Sequence, residues 1–173
     1  MCGIRCRLMK RPTTRRQSMR EEVLAFIQQV NVETITPEEW LAAMNKTREF
    51  TAIGPLGATF EAVSDDEIVM QMPITDNARQ PVGLLHGGVS LLLAETAASA
   101  HAFWRTDLRE RVPVGIEING SHLRSASEGT VRVVGRVLRR SRSFIVHEVE
   151  IWHVESEKLL SVCRVTNYYK PAT

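Results

Sequence analysis

Between Val89 and Phe103 the chain carries Leu91, Leu92, Leu93, Ala94, Ala97, Ala98, Ala100 and Ala102, which cover almost the whole circumference of a helix. A helix with one apolar stripe lies on a surface, whereas one that is apolar all round must be enclosed on most sides. The spacing predicts a helix over roughly Val89 to Arg105. Glu95 interrupts this longest apolar stretch, and no run reaches the ~18 uncharged apolar residues of a membrane span, so protein must do the enclosing. Four runs rich in Val and Ile follow: Val114 to Ser121, Thr130 to Leu138, Ser143 to Val154 and Leu159 to Tyr169. Polar turns near Glu128-Gly129, Arg140-Ser141-Arg142 and Glu155-Ser156-Glu157-Lys158 separate them. Connections this short imply antiparallel hairpins between successive strands. Upstream, period-two alternation sets in at Phe60, with Ile68, Met70 and Met72 on one face, and closes at Pro73. One buried helix and an antiparallel sheet of about five strands make an α+β fold.

The 173 residues suffice for one domain with a full core. Aromatic residues are only 6% of the chain, so aliphatic side chains and methionine must fill that core. The net charge of +2 hides an asymmetry. Arg5, Arg7, Lys10, Arg11, Arg15, Arg16 and Arg20 make the first twenty residues purely basic, leaving −5 on the remainder. Such a segment suits a nucleic acid, an anionic surface or an organelle-targeting peptide. The plainer expectation is a disordered tail, or a chain whose working start is Met19. No apolar signal core follows the charges, which argues against secretion. Cys2, Cys6 and Cys163 offer neither a paired framework nor metal spacing, consistent with a reducing, cytoplasmic setting. Glu21 to Val30 reads as a short helix. Thr36-Pro37-Glu38-Glu39 starts another, with a hydroxyl cap, Pro at the first position and Glu at the third, running to about Lys46. The expected organisation is a basic tail (1–19), a helical extension (20–47) and the main domain (48–173).

Glu95 is the residue that asks for an explanation. A carboxylate within an enclosed helix is costly unless hydrogen-bonded or facing a wet cleft. At 100° per residue, Thr96 and Ser99 share its side of the helix. It either pairs with an arginine across an interface or performs chemistry. Just before the helix stand His86-Gly87-Gly88. Free N–H groups at a helix N-terminus favour negative charge, and glycine lets a substrate approach the backbone. These are the requirements of an oxyanion hole. The alternatives are a plain helix-entry turn for the glycines and a satisfied helix-start residue for His86. Glu95 lies eight residues beyond Gly87, roughly 12 Å along a helix, too far to attack a carbonyl held there by the same chain. A two-fold dimer that brings Glu95 of one subunit to His86-Gly87 of the other removes the difficulty.

Other chemistries lack their residues. Gly88-Val89-Ser90-Leu91-Leu92 has no second glycine for a nucleophile elbow. There is no dinucleotide or phosphate-loop glycine pattern. His86, His101, His122, His147 and His153 show no zinc spacing, so no metal is expected.

The segment Gln80-Pro81-Val82-Gly83-Leu84-Leu85-His86-Gly87-Gly88-Val89-Ser90-Leu91-Leu92-Leu93-Ala94-Glu95-Thr96 resembles the signature of hotdog-fold acyl-CoA thioesterases. The similarity is greatest to the subgroup of phenylacetate-pathway, hydroxybenzoyl-CoA and dihydroxynaphthoyl-CoA thioesterases. The block from Gly115 to Gly129 is similar to a second stretch of that subgroup, and the likeness extends from about Phe50 to Lys170. It implies a sheet wrapped around one long helix, in accord with the residue patterns. It implies that Glu95 is the catalytic carboxylate, as nucleophile or as base for water. Gln80 and His86 would contact the thioester, the Gly87 N–H would form the oxyanion hole beside Gly88, and Thr96 and Ser99 would position water or the acyl group. It implies a site at a homodimer interface, often with two dimers in a homotetramer, and an aryl or medium-chain acyl-CoA as substrate. Coenzyme A arrives as part of that substrate, so no separate cofactor is expected, and neither a nucleic-acid nor a membrane partner. His122 and Arg124, together with the turn Arg140, Ser141, Arg142 and Ser143, are candidates for its phosphates. The helical extension to Lys46 and the aromatic-poor pocket depart from the family pattern. Two other readings stand beside hydrolysis: a hotdog protein that binds acyl-CoA without turnover, and a hydratase, for which no Asp–His pair is found.

Overall fold

The computed structural model describes residues 30–172 together with Glu21 and Ala25. The basic tail and most of the helix expected over Glu21–Val30 lie outside the described residues.

Helix α1 spans Pro37–Thr47 and starts as its sequence dictates. Thr36 Oγ1 accepts from the Glu39 N–H, and Glu39 Oε2 accepts from the Thr36 N–H, a reciprocal capping box. It buries Trp40, which meets Phe60 and Trp104 edge-on at 6.0 and 5.7 Å. Strands β1 (Thr59–Val63) and β2 (Glu67–Pro73) form a hairpin. Helix α2 covers Gly87–Phe103, two residues displaced from the expected span at each end. It begins at Gly87 because His86 caps it, and past Trp104 the left-handed φ of 52° at Arg105 turns the chain away. Strands β3 (Arg111–His122), β4 (Thr130–Arg140), β5 (Phe144–His153) and β6 (Lys158–Pro171) follow.

The six strands form one antiparallel sheet in the order β1-β2-β4-β5-β6-β3. Six strands rather than about five are present because the segment from Phe60 to Pro73 holds two. The expectation of successive hairpins holds for β4–β5 and β5–β6 and fails for β3–β4. Strand β3 pairs with β6, from Arg111↔Pro171 to His122↔Ser161. Segment 123–129 is too long for a tight turn and instead carries the chain from the β3 edge back to β4. Its backbone is tied down by bonds from Leu85 N to Ala126 O and from Ile74 N to Gly129 O, both 2.8 Å.

The sheet packs one face on α2. Ala94, Ala97, Ala98 and Ala102 are fully buried, as are Met70, Val131, Val149, Ile151 and Val165 from the strands. The small helix residues let the backbone of α2 lie close to the sheet, which explains how so few aromatics suffice. Along β3, inward positions are Gly115, Ile118, Gly120 and His122, opposite Asn167, Val165, Cys163 and Ser161 of β6. A methyl group on Gly120 would lie 2.8 Å from Leu91 Cδ2 and 2.7 Å from Cys163 Sγ. Glycine there sets how closely the helix docks. Strand β3 is a sheet edge and carries exposed apolar side chains, Ile116 at 59% and Val114 at 40%.

Candidate active site

Gln80 and His86 sit on the loop that leads from β2 into α2, and Gly87 and Gly88 are the first two residues of the helix. The loop is held by Gln80 N donating to Leu84 O and Gly83 N donating to Gln80 O, each 2.8 Å, with Gly83 at a φ of 85°. Gln80 Oε1 accepts from Val82 N at 2.6 Å. His86 Nδ1 accepts from Gly88 N at 2.8 Å. A neutral imidazole accepting at Nδ1 carries its proton on Nε2, so the exposed edge of His86 is a donor. The cap is thus the helix-start role weighed in the sequence, and it also sets the tautomer that can face a carbonyl. The Gly87 N–H finds no acceptor among the described residues. It lines a cleft of about 430 Å³ with Gln80, Ser90, His122, Arg124 and Leu160.

His122 belongs to this cleft through its neighbours. Its Nδ1 pairs with Ser161 Oγ at 2.9 Å, and its Nε2 lies 2.6 Å from where a Gly87 Cβ would be. Arg124 anchors through Nη1 to Leu159 O at 3.0 Å. The structure therefore brings Gln80, Gly87, His122 and Arg124 together, although the last two lie far from the first two in sequence.

Glu95 is two turns away along α2, half-buried beneath β3. Its Oε1 accepts from the Ser99 hydroxyl at 2.8 Å. Opposite it stands Gly115, whose missing side chain leaves the carboxylate its room: a methyl group there would overlap Glu95 Oε1. Glu95 forms no ion pair among the described residues, so pairing with an arginine within the chain does not account for it. Ser99 is its partner. Thr96 turns instead to its own helix, donating to Leu92 O at 2.7 Å. Ser99 Oγ also lies 3.0 Å from Asn167 Oδ1.

Arg140 ends β4, and Ser141, Arg142 and Ser143 form the β4–β5 turn, beside the Arg111–Pro171 end of the β3–β6 pair. That is the opposite end of β3 from His122, about 36 Å away at a strand's rise per residue. Ser141 Oγ accepts from Ser143 N and Phe144 N and so shapes the turn. Arg140 Nη2 donates to Asp65 O, and Arg142 O accepts from Arg111 Nη1. Within one chain this turn does not join the cleft of Gln80 and Gly87.

Two residues with no role assigned from the sequence stand at Glu95: Gly115 and Asn167. The signal for Asn167 was present, since it is a polar residue on the inward positions of β6, among Cys163, Val165 and Tyr169.

Comparison with known proteins gives the family and the fold. The family model for the thioesterase superfamily matches residues 82–160. The chain is 39% identical over 126 residues to 1,4-dihydroxy-2-naphthoyl-CoA hydrolase of Escherichia coli K12, covering 73% of this chain and 91% of that one. Its fold superposes on a thioesterase of Haemophilus influenzae with a TM-score of 0.72 at 32% identity, over 80% of this chain and 93% of the other. A mutant thioesterase of Pseudomonas aeruginosa gives 0.71 at 30% identity, over 80% and 96%. The chain belongs to the thioesterase superfamily and is a thioester hydrolase of the hotdog fold.

Proposed function

We propose that this protein hydrolyses an aryl or medium-chain acyl-CoA to the free acid and coenzyme A, at a site shared by two copies of the chain. The observation that carries the reading is the position of Glu95. It is uncompensated by any cation among the described residues and lies under glycine at an open sheet edge, two helical turns from the Gly87 N–H. One subunit supplies Gln80, His86 and Gly87, and the other supplies Glu95. The acyl carbonyl oxygen accepts from the Gly87 N–H at the positive end of α2 and from His86 Nε2–H, where charge develops as the carbonyl turns tetrahedral. Glu95 then acts in one of two ways. As a base it takes a proton from water, which attacks the carbonyl while the thiolate leaves. As a nucleophile it forms an acyl–carboxylate anhydride, which water cleaves. In both, one water is consumed and one thiol released. After a single turnover in oxygen-18 water, label on Glu95 marks the anhydride route.

Gly88 keeps the approach to Gly87 open, while Ser99 holds the carboxylate and Thr96 borders it. His122 and Arg124 flank the cleft and suit the phosphates of coenzyme A. A partner subunit paired along β3 places its Arg140–Ser143 turn toward the same mouth, because antiparallel pairing brings opposite strand ends together. The likeness to a dihydroxynaphthoyl-CoA hydrolase supports an aromatic acyl group. Two dimers can pair further into a tetramer, and the setting we propose is the cytoplasm.

The test is thiol release from benzoyl-, hydroxybenzoyl-, phenylacetyl-, dihydroxynaphthoyl- and aliphatic CoA thioesters, with Glu95→Ala beside the wild type. The expected result is turnover with at least one thioester and about a thousandfold loss in the folded variant. Saturable binding with no thiol release by the wild type would instead make this an acyl-CoA-binding protein.

A further inference from the structure

We propose that Asn167 is a positioning residue for the reaction, acting on Glu95 through Ser99. The proposal rests on the reading of Glu95 as the reactive carboxylate and adds the residue that aims it. Asn167 is fully buried at the inward face of β6, where apolar neighbours would be the cheaper choice. It sits across from Gly115, the position under which the Glu95 carboxylate lies. Its amide Nδ2 has no partner among the described residues, while Ser99 Oγ is 3.0 Å from the other end of the amide.

Proton counting sets the direction of this chain. Ser99 has a single hydroxyl proton, and the carboxylate of Glu95 at 2.8 Å is its stronger acceptor. With that proton given to Glu95, Ser99 Oγ faces Asn167 as an acceptor and needs a donor. A half-turn of the amide exchanges oxygen and nitrogen at almost no steric cost. It brings the orphan N–H onto Ser99 Oγ and leaves a carbonyl oxygen in its place, the less costly group to leave short of partners. The working order is Asn167 Nδ2–H to Ser99 Oγ–H to Glu95 Oε1.

Such a chain pins one carboxylate oxygen and leaves Oε2 free for water or the acyl carbonyl. Both donors are neutral, so the carboxylate is oriented without being neutralised, as a paired arginine would do. Ser99 alone could rotate away. The buried amide, fixed in the strand, holds it in the one rotamer that reaches Glu95.

A cycle of Ser99→Ala, Asn167→Leu and the double variant tests this, read as kcat and KM with the best thioester. Leucine keeps the shape of asparagine and removes its polar atoms. The expected result is a kcat about ten- to thirtyfold lower in each single variant, with KM unchanged. The double variant should fall no further than Ser99→Ala, because the amide acts through the hydroxyl. An Asn167→Leu protein with kcat within about twofold of wild type, or losses that multiply in the double variant, overturns the proposal. Should Asn167→Leu fail to fold, Asn167→Ala, which removes the amide with a smaller side chain, is read by the same two criteria. Turnover by the wild type and its loss in Glu95→Ala judge the thioesterase reading separately. If those fail, the cycle read in melting temperature still decides: non-additive shifts for a coupled pair, additive ones against it.

Discussion

Gly115 shows how the absence of a side chain can define a site. The space that a methyl group would fill is taken by Glu95 Oε1. In Gly115→Ala the carboxylate must rotate away from Ser99, while the strand loses little, since its backbone there needs no positive φ. We expect a fall in kcat of about a hundredfold, the cost of moving a reacting group by about 1 Å. The melting temperature should change by only a few degrees, roughly what ~1 kcal/mol produces in a domain of this size. A melting temperature that collapses together with activity would instead make Gly115 a packing residue. His86 shows the reverse economy. One ring nitrogen closes the helix end, and the other is left as a donor for the proposed carbonyl contact.

Helix α2 and strand β5 meet at a pair of histidines. His101 Nδ1 and His147 Nε2 lie 2.8 Å apart with both residues fully buried, and His101 Nε2 donates to Ser64 O. Burial is the main cause that lowers the pKa of each, with the neighbouring Arg140 adding to it; for His147 the other imidazole contributes as well, and its value falls to about 3. The hydrogen bond to Ser64 O, and after it Asp65 and Asp66, pull His101 in the opposite direction without prevailing. In the unfolded chain both histidines take up protons below about pH 6.5. Native His147 resists until about pH 3. The unfolded state therefore binds more protons across that window, and stability falls as pH drops through it. His147→Gln keeps a donor toward His101 but cannot be protonated. Its melting temperature should decline less steeply than that of the wild type between pH 6.5 and 4. Parallel curves for the two proteins would show that other groups govern acid lability.

The whole molecule is left with an unfinished edge. Among the described residues strand β3 pairs with β6 on one side only, and it exposes Val114 and Ile116. Open edges of this kind are usually covered or charged in a chain that works alone. Pairing two copies along β3 would complete the sheet and join the two halves of the proposed site. Near a two-fold axis each side chain lies close to its own counterpart, so one added charge becomes two adjacent like charges. Ile116→Lys should therefore shift the protein toward monomer in sedimentation, with activity per chain falling as the protein is diluted. Full activity in a monomeric variant would refute the shared site.

Elements whose causes are local could be read directly from neighbouring residues. The capping box of α1, the all-apolar surface of α2, the period-two strands and the β4–β5 and β5–β6 turns each depend on residues a few positions apart, and each formed where its pattern lay. The tract from Gln80 to Thr96 likewise marked the loop and the helix start. Tertiary structure decided the rest. No local pattern in Arg111–His122 says that it pairs with β6 rather than β4, since the partner is chosen by where segment 123–129 can cross and which edge remains. That choice puts Gly115 over Glu95, His122 beside Gly87 and Asn167 against Ser99. Periodicity records which face of an element is buried; only the packing of distant elements determines what that face meets.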